Sequence, residues 1–192
     1  MESRLAASEA TRQRIVAAAA GLHAEKGALA TGWDEIAVAA GVSRATVYHH
    51  FPSLDVLIPA CAQLAFDLIE VPTPEAAARR FSGLPSPEER LADFVVESCR
   101  CYAAGAGWLR AAWRERSLVP GMEVAVSRLQ RGLAVLLDAA LDGLEVGVES
   151  RRVLVTLLDF PFWDGLDQAG VLRERIPDRM LDLALAAIKV GR

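Results

Sequence analysis

The stretch "GVSRATVYHHF", residues 41–51, decides how the rest of the chain is read. Ser43 can cap a short helix that runs through His50, because its side-chain oxygen can accept from an amide of the first turn. Phe51-Pro52 closes that helix, since the residue before a proline is pushed out of the helical region. Gly41 ends the helix before it. Ala37, then Gly41, then Val47 is the spacing of a helix-turn-helix. The small Ala37 lets the second helix approach the first, and Val47 and Phe51 pack it back on the core. The outward side then presents Arg44, Ala45, Thr46, Tyr48 and His49, a set without acids and rich in donors. Such a helix, with its N-terminus outward, suits the major groove of DNA, and its dipole favours phosphate.

Catalysis and metal binding fit this stretch poorly. His49 and His50 are adjacent, so they point about 100° apart on a helix and do not share a metal easily. No cysteine, and no acid nearer along the chain than Asp55, is at hand. No glycine-rich phosphate loop or nucleophile elbow occurs anywhere in the sequence. The expectation is no catalytic residues, no metal and no cofactor.

Composition bounds the rest. The 192 residues include 53% hydrophobic residues, ample for a packed core. Abundant Ala and Leu favour helix. No apolar run is long enough to span a bilayer, and the N-terminus lacks the apolar core of a signal peptide, so a cytoplasmic protein is expected. Cys61, Cys99 and Cys101 suggest no disulfide framework and read as small buried apolar residues. The formal charge is −4, with five basic and five acidic residues in positions 1–52. A nucleic-acid reader must therefore gather its basic groups on one face.

Hydrophobic periodicity predicts an all-α chain of about nine helices. Three short ones occupy 11–26, 33–40 and 43–50, with Thr31 and Asp34 as a capping box for the second. A longer helix follows Ser53. Prolines cluster between 72 and 87, leaving room for a short helix at most. Ser86-Pro87-Glu88-Glu89 is a strong helix start. Gly105 and Gly107 are expected to end that helix, so that "WLRAAWRERS" forms a separate short one. Pro120 starts a long helix, Pro161 kinks another at 149–169, and a last one follows Pro177.

With these elements in place, "IAVAAGVSRATVYHHF" resembles the signature of the TetR family of bacterial transcriptional regulators, and "RIVAAAAGLHAEKG" resembles its first helix. Ile36, Ala37, Ala40, Gly41, Val42, Ser43, Thr46, Tyr48, His50 and Phe51 match. "LLDFPFW" is similar to the family's eighth-helix region. His23 stands where the family usually has Phe, Gly32 where it has Thr, Ala45 where it has Gly, and Leu54 where it has a Lys near phosphate. The resemblance implies a DNA-binding domain over residues 1–52 and a ligand-binding and dimerisation domain over 53–192. DNA contacts are expected from Thr31, Ser43, Arg44, Ala45, Thr46, Tyr48 and His49. Arg44 would reach a base edge, and Tyr48 and His49 would hold phosphates.

The expected function is a repressor that binds a palindromic double-stranded operator as a homodimer and is released by a small, mostly apolar ligand. Leu64, Phe94, Ser98, Tyr102, Trp108, Trp113, Asp159 and Phe162 are the candidate ligand wall, a set of rings with few polar groups. Apolar residues on more than one face of 149–169 and 178–190 point to a dimer through these helices. The rival readings are a DNA-binding protein with no ligand and, less well supported by the residues, a helical enzyme.

Overall fold

The computed structural model describes residues 2–68 and 72–190, with side-chain environments for 4–64 and 72–189. Ten α-helices and one 3₁₀ turn make up the regular structure, and no strand occurs among the described residues. They form two compact units. The first comprises residues 1–70 with 106–127, and the second 71–105 with 128–192. A cut at residue 52 therefore does not coincide with the compact units. Residues beyond it, including the whole segment 106–127, belong with the helix-turn-helix.

In the first unit, α1 (Glu2–Lys26), α2 (Trp33–Ala40), α3 (Arg44–His50) and α4 (Leu54–Leu68) pack around Ile15, Val16, Ala19, Ile36, Ala37, Ala40, Val47, Phe51, Leu57 and Cys61. Helix α1 begins well before residue 11, at Glu2. Gly41 joins α2 to α3 at φ 65°, a left-handed conformation that glycine adopts without strain. The predicted cap of α2 is corrected. Thr31 is buried, and its hydroxyl donates to the Gly27 carbonyl at 2.6 Å. Gly32 takes the cap position, and its amide donates to the Glu35 carboxylate at 2.7 Å.

Helix α6 (Pro87–Glu115) also differs from expectation. It runs unbroken through Gly105 and Gly107, so Trp108 and Trp113 sit on its last turns and not on a separate helix. Gly107 serves close approach: a Cβ there would lie 2.8 Å from the Ala24 carbonyl oxygen of α1. Beyond it, Glu115 is buried, and its carboxylate accepts the amides of Ala28 (2.8 Å) and Leu29 (3.1 Å). Arg114 donates to the Lys26 carbonyl at 3.3 Å. The exit of α1 is thus held by residues some eighty-seven positions away. Helix α7 (Pro120–Ala140) begins in this unit and ends in the second.

The second unit holds α5 (Pro74–Phe81), the N-terminal part of α6, the rest of α7, α8 (Val148–Leu157), α9 (Phe160–Gln168), the 3₁₀ turn at Arg173–Arg175 and α10 (Ile176–Val190). The predicted helix start at Ser86 is present, as a reciprocal cap: Glu89 N–H donates to Ser86 Oγ (3.1 Å), and Ser86 N–H to the Glu89 carboxylate (3.2 Å). The predicted kink at Pro161 is instead a full break. Asp159 caps α9, its carboxylate accepting the Phe160 amide at 2.8 Å, and Pro161 falls in the first turn, where a missing N–H costs nothing. The carbonyl freed at Leu158 accepts the Tyr102 hydroxyl at 2.8 Å. Tyr102, Phe160 and Trp163 pack ring on ring at 5.7–6.1 Å. Burial also accounts for Cys61 and Cys99, whose thiols it pushes up to about 12; Cys101 is only half-buried.

Candidate nucleic-acid interface

Helix α3 is short, and its register fixes what it offers. Val47 is wholly buried, so the residues two places away on either side, Ala45 and His49, face outward. Ser43 caps the helix, accepting the Thr46 amide at 3.1 Å, and its hydroxyl lies 2.8 Å from that of Thr46. Ser43, Arg44, Ala45, Tyr48 and His49 are exposed, and Thr46 is half-buried. Of the expected DNA-contacting set, these six lie together on α3 and its cap, whereas Thr31 is buried away from solvent.

The face contains an acid that the sequence of α3 does not suggest. Asp34, in the first turn of α2, accepts from Arg44 Nη1 at 3.0 Å. Arg44 Nη2 donates to the Tyr48 hydroxyl at 3.4 Å, and the guanidinium lies 5.5 Å from the Tyr48 ring centre. Tyr48 in turn rests on Trp33, ring centres 4.9 Å apart. Asp34 was missed because ten residues and a turn separate it from Arg44. No short-range pattern pairs the first turns of two successive helices. Nearby, Arg12 covers the Phe51 ring at 4.9 Å.

The expected ligand wall divides between the units. Leu64, Trp108 and Trp113 belong to the first; Phe94, Ser98, Tyr102, Asp159 and Phe162 belong to the second. Leu64 is exposed, while Phe94, Ser98, Tyr102 and Trp108 are buried. Phe94 and Asp159 do border a common space with Gln130, Leu133 and Leu137, but its volume is only about 20 Å³. That is room for one water. The Asp159 carboxylate is held there by Gln130 at 2.6 Å. A larger cavity, about 480 Å³, lies in the second unit between α5, the start of α6 and the end of α7. Phe81, Leu84 and Val135 line its apolar part, with Arg90, Asp138 and Asp142 as its charged groups. The Arg90 guanidinium is engaged by the carbonyls of Ala140 (3.2 Å), Leu84 (3.3 Å) and Asp142. None of these lining residues has a motif to mark it in the sequence. Among the described residues no group of His, Cys, Asp or Glu could hold a metal, and no helix is long and apolar enough to cross a membrane.

A capped, donor-rich helix set across a glycine turn from its partner defines a helix-turn-helix protein of the DNA-binding class. Residues 15–61 match the sequence pattern of bacterial regulatory proteins of the tetR family. The whole fold is similar to the crystal structure of a tetR-family transcriptional regulator from Streptomyces coelicolor. The TM-score is 0.68 at 22% identity, over 93% of this chain and 83% of that one. It is also similar to a transcriptional regulator from Rhodococcus sp. Rha1, with TM-score 0.63 at 19% identity over 94% and 96% of the two chains. A third similar fold is the multidrug binding protein EbrR, solved with malachite green, with TM-score 0.54 at 22% identity over 92% and 97%. No curated protein sequence matches the chain.

Proposed function

We propose that the protein is a repressor that binds a palindromic operator as a two-fold dimer and leaves it when a small, mostly apolar ligand binds the second unit. The observation that carries the DNA-reading part is the exposed α3 face, with Arg44 in the first turn and the Ser43 cap directed outward with it. Selection from random double-stranded DNA tests it. The expected product is an inverted repeat whose half-sites fall on successive major grooves. Recovery of no preferred sequence would sink the proposal.

For the dimer, the supporting observation is apolar surface on α8 and α10. Leu154 and Met180 are buried, whereas Val153, Val155 and Leu183 remain more than 40% exposed. A second copy covering these residues would give the two-fold symmetry that an inverted repeat requires.

For the ligand, the cavity between α5, α6 and α7 supports the reading better than the tightly filled space at Phe94 and Asp159. Its volume is within the range of small-molecule sites. Arg90 is engaged by carbonyls and Asp138 by Arg151, so Asp142 is the lining carboxylate that would meet a cationic group on an apolar ligand. Helices α6 and α7 each continue along the chain into the first unit. A ligand that shifts either one would carry that displacement toward the DNA-reading helices. A panel of aromatic cations and their neutral analogues, read by thermal shift and by operator release, tests this. Cation-selective release that is weakened in Asp142→Asn is expected. No shift with any compound would favour the second reading, a ligand-independent DNA-binding protein, to which the filled space at Phe94 gives some support.

A further inference from the structure

Arg44 is the one cation on the exposed side of α3, and it is not free. Asp34 accepts from one terminal nitrogen, the Tyr48 hydroxyl accepts from the other, and Trp33 supports the Tyr48 ring from beneath. A guanidinium has five N–H donors, and these two bonds leave three. Both partners of the ion pair are more than half exposed, so the pair contributes little to folding. A carboxylate on this face also repels phosphate, so it weakens DNA binding in general. An exposed pair that adds little stability and opposes phosphate needs another role.

We infer that Asp34 is a positioning residue: it holds Arg44 in the one orientation that reads a particular base, exchanging general affinity for DNA for discrimination at that base. The inference rests on the DNA-reading function proposed above. An arginine on a flexible stem reaches several base edges and phosphates. One fixed at both terminal nitrogens presents its remaining donors in a single direction, toward a guanine O6 and N7 pair. Trp33 and Tyr48 complete the support, since the Tyr48 ring limits the guanidinium on one side.

The test compares wild type, Asp34→Asn, Asp34→Glu, Arg44→Ala and the double variant Asp34→Asn/Arg44→Ala. Each is taken through selection from random DNA and then titrated on the selected site, on single-base changes of it, and on unrelated DNA. Wild type should show one symmetry-related position that depends on Arg44. At that position Asp34→Asn should lose about tenfold of discrimination, the scale of one good base contact, while binding unrelated DNA more tightly. Asp34→Glu should restore part of the preference. The double variant should discriminate no worse than Arg44→Ala alone. Melting temperatures should stay level, which separates positioning from a folding role. Tighter operator binding by Asp34→Asn with the base preference intact would overturn the inference, because Asp34 would then only restrain Arg44. So would equal losses in the double variant that simply add. If wild type itself selects no sequence, the DNA-reading function fails first.

Discussion

His23 is buried in α1 with neither ring nitrogen hydrogen-bonded. Burial lowers its pKa to about 4, against the opposing pull of Glu115. An unfolded histidine titrates near 6.5, so between these values the unfolded chain binds a proton that the folded chain excludes. Stability should therefore be complete above about pH 6.5 and fall as the pH drops toward 4. The full loss is about 3 kcal/mol. His23→Phe should flatten that part of the pH–stability curve. It should also raise the melting temperature at neutral pH by a few degrees, because it removes two unsatisfied buried nitrogens. Denaturant titrations at several pH values check both; a curve unchanged in shape would refute the burial argument. That His23 occupies a core position was legible only through the family resemblance, which has Phe at this place. The loss of its hydrogen-bond partners was not, since that depends on which groups other helices bring to it. Tyr102 makes the same point with the opposite outcome. Its spacing marked it as inward-facing, but only the break after α8 supplies the Leu158 carbonyl that its hydroxyl meets.

Among the elements, α6 is the most informative. Two glycines within three residues read as a helix end, yet the helix continues; at Gly107 close packing on α1 offsets the cost of glycine in a helix, about 1 kcal/mol. Gly107→Val should push against the Ala24 carbonyl and destabilise the protein by about 1–3 kcal/mol, which thermal unfolding would register. Glu115→Ala should cost a similar amount by leaving the amides of Ala28 and Leu29 unpaired. Glu115→Gln, which keeps an acceptor, should cost less. Equal effects from the two Glu115 variants would argue against the hydrogen bonds as the cause. Local rules placed the helix starts well, as at Ser43 and Ser86, because a cap is chemistry between neighbours in sequence. They failed at Gly105–Gly107 and at Pro161, where tertiary packing or a nearby capping acid decides between a break, a kink and a continuation.

At the scale of the whole molecule, the first check is association. Val155→Asp with Leu183→Asp places charge on exposed α8 and α10 surface without touching the buried Leu154 or Met180. The double variant should sediment as a monomer at concentrations where wild type is a dimer, and its operator affinity should fall by orders of magnitude while its helical signal is retained. A wild-type monomer would count against the two-fold arrangement. Composition and hydrophobic periodicity indicated an all-helical chain but not its division. The compact units interleave along the sequence, and a linear reading favours a single cut. That interleaving bears on how such proteins can be recombined. The exit of α1 is held by Arg114 and Glu115, so the DNA-reading segment does not end where its signature ends. A chimera that grafts residues 1–52 onto a relative's body would import a turn after α1 whose amides, at Ala28 and Leu29, look for a glutamate the host need not possess. To change operator preference by transplantation, segment 106–127 must travel with the donor's helices, or be matched to them.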